Sequence, residues 1–313
     1  MKPTVYILIG LPGAGKDTWI ASREMPNTVT VSSDAIREEL FGSEEIQDSP
    51  DKVFNLMFHR TIDALKAEKN VIYNATNVSR KRRMNLIKEI NKKVDCNFQA
   101  IVIATPYEIC LQRNNYRARK VPEYVIERMY KAFQVPSIFE GFTKVETVKN
   151  WSWEDYPNLK LDLRARLSSF RNVSHDNPHH TFSIGEHNLE ARNIIIQNYR
   201  KITDELNEWW YSILVEAALY HDIGKPFCKT NQKRNGKIDT IYHYYCHENV
   251  GAYDYLCLSE KSDEIKFLVS LLINLHMIFY GDEIYRQRIY ELYNDINFQL
   301  ALKWLNYADK NAH

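Results

Sequence analysis

Apolar positions fall into two regimes along the chain. In the first 140 residues they come as short unbroken runs, Val5–Ile9, Val29–Val31, Asn70–Tyr73 and Phe98–Ala104, separated by charged, helix-favouring stretches at Asp34–Phe41, Val53–Lys69 and Lys81–Lys92. Unbroken apolar strands alternating with amphipathic helices predict a parallel sheet covered on both faces. From about Phe182 the β-rich runs nearly vanish. Helical spacing takes over at Leu189–Tyr199, Ser212–His221, Val250–Leu258, Ile265–Met277 and Phe298–Ala308. The stretch 141–178, with Trp151, Trp153, Pro157 and Asn177-Pro178, is expected to be a linker with a lead-in helix. The expected architecture is α/β over 1–149, a linker and lead-in helix over 150–174, and all-α over 175–313.

Composition narrows this. The 313 residues are 44% hydrophobic and 26% charged, which excludes bulk disorder, and 41 basic against 40 acidic residues argues against a polybasic nucleic-acid coat. A local basic groove stays open. No run approaches the ~20 apolar residues that span a bilayer, and Met1–Gly10 lacks the layout of a signal peptide. Five cysteines, odd in number and without C-x-x-C spacing, predict reduced, mostly buried thiols and a cytoplasmic protein.

Only ten glycines occur, and three stand in Gly10-Leu11-Pro12-Gly13-Ala14-Gly15-Lys16-Asp17-Thr18, directly after the first strand. That is G-x-x-x-x-G-K in a strand–loop–helix setting. The glycines let backbone N–H groups turn in around a phosphate, and Lys16 would reach the β/γ-phosphates. The alternative is a glycine-rich turn with an incidental lysine. One position departs from the motif: Asp17 replaces the Ser/Thr that binds Mg²⁺, and Thr18 follows one residue late. Past the second strand, Ser33 or Asp34 can cap a helix. Equally, Asp34 and Arg37, at i and i+3, can present a carboxylate that takes a hydroxyl proton beside a guanidinium that holds a phosphate.

With Thr76-Asn77, Arg113-Asn114-x-x-Arg117, Val121-Pro122 and Arg128-Met129-Tyr130-Lys131, these elements over residues 1–142 resemble the P-loop polynucleotide 5′-kinase family of phage end-healing enzymes. The resemblance implies an ATP- or other NTP-dependent kinase using Mg²⁺, with Asp34 as general base, Arg37 on the acceptor's 3′-phosphate, and Arg113 and Arg117 clamping the donor. Asn74 stands where that family commonly has a carboxylate. A carboxylate lost at 74 and one gained at 17 could be a swap that keeps an anionic oxygen near Mg²⁺; water-mediated Mg²⁺ needing neither is the alternative. The run Arg80-Lys81-Arg82-Arg83, with Lys88, Lys92 and Lys93, is expected to be a solvated helix face, though it could track a nucleic-acid backbone.

In the second half, His221-Asp222 closes a strongly apolar helix, where two titratable groups need partners and a metal ion is the simplest one. Residues 175–313 resemble the HD phosphohydrolase superfamily, above all the HD modules of tRNA nucleotidyltransferases. The resemblance implies that His187, His221, Asp222 and Asp309 bind one metal and His247 and His276 help bind a second. His-rich N/O ligands suit Mn, Fe, Co, Ni or Zn. Lys225 would contact substrate phosphate, and His179 and His180 are weaker candidates with a linker role as the alternative. The combined expectation is a bifunctional enzyme acting on nucleic-acid ends, RNA above all. It would phosphorylate a 5′-OH and remove a 2′,3′-cyclic phosphate or 2′(3′)-phosphate, so leaving ends for a ligase. The competing readings are a small-molecule kinase fused to a nucleotide phosphohydrolase, and a kinase with a silent HD module.

Overall fold

The computed structural model describes residues 2–44, 49–159, 161–176 and 181–312. His179 and His180 lie outside these. The chain forms two compact units, Met1–Met129 with Pro136–Asp155, and Tyr130–Val135 with Tyr156–His313.

The first unit holds β1 (Thr4–Ile9), α1 (Lys16–Ala21), β2 (Thr28–Ser32), α2 (Ser33–Phe41), α3 (Pro50–Lys66), β3 (Asn70–Asn74), α4 (Arg80–Asn91), β4 (Asn97–Ile103), α5 (Tyr107–Tyr116), the start of α6 (Glu123–Lys131) and β5 (Lys144–Val148). The sheet is parallel throughout, in the order β2-β3-β1-β4-β5. Val5 pairs with both Val71 and Phe98, so β1 is central, and Val5, Ile7, Leu8, Ile9, Ala100 and Val102 are fully buried. Central burial on both faces is what the unbroken apolar runs demand. Strand β5 was not among the predicted strands. It is an edge strand with partly exposed residues, and Lys144-Val145-Glu146-Thr147-Val148 mixes charge into the pattern accordingly.

Helix α4 corrects the expectation of a solvated basic face. Lys81 and Arg82 are exposed, but Arg80 and Arg83 are buried on the stripe they share with Ile87 and Ile90. Arg83 forms a bidentate pair with Glu140, at 2.7 Å through both Nε and Nη2, and its Nη1 donates to the Asn77 and Val78 carbonyls. The capping expectation at Ser33 or Asp34 also fails. Helix α2 begins at Ser33 without a side-chain cap, and the Asp34 carboxylate turns to Arg37.

The second unit holds α7 (Leu163–Ser169), α8 (Ile184–Gln197), α9 (Tyr199–Glu205), α10 (Glu208–Tyr220), α11 (Lys225–Cys228), a hairpin of β6 (Thr230–Gln232) and β7 (Ile238–His243), α12 (His247–Leu258), α13 (Asp263–Leu275), α14 (Glu283–Leu292) and α15 (Ile296–Asn311). It is a helical domain, and the hairpin is the departure from an all-α expectation. Several helices begin up to a turn before their apolar periodicity because polar caps start them. The side chains of Ser183, Asn207 and Asp295 accept from backbone N–H groups of the first turn of α8, α10 and α15. The described cysteines are unpaired, and all but Cys246 are buried. No helix among the described residues is long and apolar enough to cross a membrane.

Candidate functional site: a glycine-loop cavity and a histidine–aspartate centre

The loop after β1 turns through Gly13 at φ 80° and Gly15 at φ 94°, both left-handed conformations that favour glycine. A Cβ at Gly13 would run into the Cys110 carbonyl, and one at Gly15 into the Asn150 amide. Ala14 is buried, and its carbonyl is held by Asn150 Nδ2 at 2.7 Å and by the Thr105 hydroxyl at 2.8 Å. Lys16 Nζ donates to the Gly10 and Leu11 carbonyls at 3.1 and 2.9 Å. Burial lowers the Lys16 pKa, with Asp17 pulling the other way.

This loop forms one wall of a cavity of about 1110 Å³, lined also by Asp17, Thr18, Asp34, Arg37, Asn74, Thr76, Arg113 and Arg117. Asp34 lies 2.9 Å from Arg37 Nη1 and stays 42% exposed on its side chain, open to an incoming group. Arg113 is fastened to the loop: Nη1 donates to Asn150 Oδ1 at 3.1 Å and Nη2 to the Asn150 carbonyl at 2.9 Å. Thr76-Asn77 fixes the loop's origin, since Gly10 N–H donates to the Thr76 carbonyl and Asn77 Nδ2 to the Leu8 carbonyl at 2.7 Å. Lys16, Arg37, Arg82, Arg113, Arg117, Arg119, Lys120 and Arg128 line the cavity with Asp17 and Asp34, eight cations against two carboxylates among the lining residues. A chain of net charge +1 thus concentrates positive charge here. Tyr130, grouped with Arg128 and Met129 in the sequence pattern, belongs instead to the second unit, where its hydroxyl bonds Asp254.

In the second unit, six predicted residues converge and all are buried. His187 comes from α8, His221 and Asp222 follow the end of α10, His247 opens α12, His276 follows α13, and Asp309 lies on α15. Each imidazole spends Nδ1 on a backbone carbonyl: His187 on Ala312, His221 on Ala218, His247 on Tyr244 and His276 on Ile273, at 2.7–2.8 Å. Nδ1 must therefore carry a hydrogen, and all four Nε2 atoms point inward. His187 and His221 Nε2 lie 3.2 Å apart, and His247 and His276 Nε2 lie 3.3 Å apart. Two ring nitrogens at that distance need a proton or another cation between them.

The carboxylates divide the ligands into two groups. Asp222 Oδ2 lies 3.4 Å from both His187 and His221, with Asp309 Oδ1 at 3.1 and 3.3 Å from the same nitrogens. Asp222 Oδ1 lies 3.1 Å from His247 and 3.7 Å from His276. His187, His221, Asp222 and Asp309 thus form one potential metal site, and Asp222, His247 and His276 a second, with Asp222 common to both. Burial opposes ionisation of Asp222, but Lys225 and the surrounding imidazoles outweigh it and hold the carboxyl well below the usual range. Asp309 follows the same pattern, burial being overcome by His187 and His221. Buried carboxylates kept anionic beside imidazole nitrogens could together hold a metal ion.

Residues 5–136 match the family model described as AAA domain. The parallel sheet and flanking helices fit a P-loop kinase. The chain is 29% identical to "L-seryl-tRNA(Sec) kinase" of Methanococcus maripaludis over 175 residues, 52% of this chain and 60% of that protein. It is 26% identical to "Bifunctional polynucleotide phosphatase/kinase" of Schizosaccharomyces pombe over 160 residues, 49% of this chain and 35% of that protein. A solved structure titled "Structure of the Pnkp1/Rnl/Hen1 RNA repair complex" is 25% identical, covers 42% of this chain and 43% of that chain, and superposes with a TM-score of 0.37. Each match spans less than two thirds of the relative's own length.

Three residues of the P-loop unit and the helical unit were not legible as functional. Asn150, after β5, joins the phosphate loop to Arg113 and carries no local motif. Arg119 reaches Asp34 Oδ1 at 3.4 Å and Glu44 at 3.3 Å. His175 is buried beside the metal-type centre, with Nδ1 at 2.9 Å from the Phe182 carbonyl and Nε2 at 3.3 Å from Lys225 Nζ. Lys225 in turn lies 2.5 Å from Asp222 Oδ2. Burial pushes the His175 pKa down to about 4, so it accepts from Lys225 as a neutral imidazole.

Proposed function

We propose that the chain is a bifunctional enzyme that heals nucleic-acid ends, RNA ends above all. The kinase would occupy 1–149 and transfer the γ-phosphate of ATP or another NTP to a 5′-hydroxyl. An HD-type phosphohydrolase over 175–313, reached through 150–174, would remove a 2′,3′-cyclic phosphate or a 2′(3′)-phosphate. The observation that carries the reading is one cavity lined by residues that would serve both halves of a phosphoryl transfer. The phosphate loop with Lys16, Arg113 and Arg117 lines it together with the Asp34/Arg37 pair.

In the kinase, Lys16, Arg113 and Arg117 would neutralise the donor phosphates and hold them in line with the acceptor. Asp34 takes the hydroxyl proton, and Arg37 grips the acceptor's phosphate while orienting Asp34 through its 2.9 Å contact. Mg²⁺ accompanying the nucleotide would add charge neutralisation. The surplus of arginines over carboxylates favours an acceptor with phosphates of its own over a neutral sugar. In the helical unit, metal ions held by His187, His221, Asp222 and Asp309 and by Asp222, His247 and His276 would supply Lewis-acid activation of water and of the phosphoryl oxygens. Lys225, paired with Asp222 and in contact with His175, would meet a substrate phosphate. The product pair, 5′-phosphate and 3′-hydroxyl, is what a nucleic-acid ligase joins.

The test uses γ-labelled ATP and an RNA oligonucleotide with a 5′-OH and a 2′,3′-cyclic phosphate, with Mg²⁺ and then with Mn²⁺, Co²⁺ or Ni²⁺. Label transfer lost in Lys16→Ala, with end-phosphate removal lost in Asp222→Ala, is the expected result. No transfer to any oligonucleotide, or transfer to seryl-tRNA alone, would overturn the kinase assignment. Intact cyclic phosphate with every metal would overturn the phosphohydrolase assignment.

A further inference from the structure

The two positions at which the sequence departs from its resemblance touch each other. Asn74 ends β3, is 6% exposed, and donates Nδ2–H to Asp17 Oδ1 at 2.8 Å. We infer that Asp17 is the residue through which this chain holds the divalent cation that accompanies the nucleotide phosphates, and that Asn74 is the positioning residue that aims its carboxylate. The inference rests on the cavity being a nucleotide site.

The two carboxylates lining the cavity differ in their partners. Asp34 is matched by guanidinium groups, with Arg37 at 2.9 Å and Arg119 at 3.4 Å. Asp17 is held by an amide instead, and the neighbouring Lys16 ammonium is turned to the Gly10 and Leu11 carbonyls. An anionic oxygen next to a phosphate cradle is unfavourable by itself, because phosphate is an anion too. A cation between them turns that repulsion into attraction. Mg²⁺ takes hard oxygen ligands, commonly one or two carboxylates plus substrate phosphates. Thr18, which also lines the cavity, offers a hydroxyl one position later than the motif usually places it.

The amide at 74 is coupled to the carboxylate at 17. A carboxylate at both positions would put two anions at hydrogen-bond distance, and one would have to take up a proton or turn away. An amide can donate to Asp17, fix the carboxylate, and leave its net charge for the cation. Either residue alone makes little sense; together they keep one anionic oxygen in the cavity, contributed from α1 instead of β3.

The experiment needs no acceptor and no turnover. ATP affinity is measured by calorimetry without divalent metal, and Mn²⁺ affinity of the ATP complex by electron paramagnetic resonance. Asp17→Asn preserves shape and an oxygen for Asn74 while removing the charge. It is expected to keep or improve metal-free ATP binding and to weaken Mn²⁺ binding about tenfold or more. Asn74→Asp alone should also weaken Mn²⁺ binding, and the reciprocal pair Asp17→Thr/Asn74→Asp should restore it to within about threefold of the native protein. Mn²⁺ affinity unchanged in Asp17→Asn would overturn the inference and leave the pair as a fastening between α1 and β3. A reciprocal pair as weak as Asp17→Asn would equally overturn the coupling. A native protein that binds no ATP would overturn the reading of the cavity itself, an outcome distinct from ATP binding that ignores Asp17.

Discussion

Asn150 offers the sharpest test of how the phosphate loop is held. Its side chain donates to the Ala14 carbonyl at 2.7 Å and accepts from Arg113 Nη1 at 3.1 Å, with the Thr105 hydroxyl 2.8 Å from the same oxygen. Asn150→Ala deletes one neutral and one charge-assisted bond. Ala14 keeps Thr105, and Arg113 keeps the Asn150 backbone carbonyl at 2.9 Å, so neither group is left wholly unpaired. At about 1 kcal/mol for the neutral bond and about 1.5–2 for the charged one, roughly 2–3 kcal/mol of positioning is lost. If that loss is felt in the transition state, kcat/KM for phosphoryl transfer falls about 30- to 150-fold. The assay is steady-state label transfer from γ-labelled ATP, with release of end phosphate by the same preparation as an internal control for folding. Because the missing bonds orient Arg113 instead of replacing it, Asn150→Ala combined with Arg113→Ala should be little worse than Arg113→Ala alone. Transfer within about threefold of the native protein would refute the reasoning, as would fully additive effects in the double variant.

Other outcomes follow from the same contacts. The Arg83–Glu140 pair has both side chains fully buried, so Arg83→Ala should cost about 3–5 kcal/mol in urea unfolding, with Arg83→Met/Glu140→Leu recovering most of it; equal loss in both variants would contradict this. Asp222 faces both ligand groups, so Asp222→Asn should abolish metal retention measured by elemental analysis after dialysis, whereas His276→Ala should abolish only part of it; identical losses would refute a shared carboxylate. His175 has a folded pKa of about 4 against about 6.5 unfolded. Its neutral form therefore contributes stability that is complete above pH ~6.5 and lost as pH falls toward 4, on the order of 2 kcal/mol once solvent screening is allowed for. His175→Asn should flatten that part of the thermal-melting profile, and an unchanged slope would count against it.

What the sequence made legible was whatever depends on backbone conformation or local periodicity. Gly13 and Gly15 sit at positive φ, where few other residues settle, so the phosphate loop showed itself as a glycine cluster in a glycine-poor chain. Strands β1, β3 and β4 are largely buried on both faces and so are rich in apolar residues. Edge strand β5 had no such obligation. The basic run at 80–83 misled because charge was weighed before spacing. Positions 80, 83, 87 and 90 repeat at helical intervals, and Ile87 and Ile90 already marked that stripe as buried. Asn150 and His175 could not have been found this way, since their roles come from contacts with residues up to 136 positions distant.

In the histidine cluster, residue identity and spacing pointed to side chains that do converge. Its residues come from the ends or first turns of helices α8, α10, α12 and α13, with Asp309 from α15; for His221, His247 and His276 a backbone carbonyl three residues earlier accepts from Nδ1, whereas His187 donates to the distant Ala312 carbonyl. In those three the local contact puts a hydrogen on Nδ1 and turns Nε2 inward without help from distant parts of the chain. Gly224 then brings the turn carrying His221 and Asp222 against the start of α12, where a Cβ would collide with the His247 carbonyl. The short segment His221-Asp222-Ile223-Gly224-Lys225 thus contributes an imidazole, the shared carboxylate, the close approach and the buried cation. One contiguous segment holding that much of the centre is legible in a way that a site assembled wholly from long-range contacts is not.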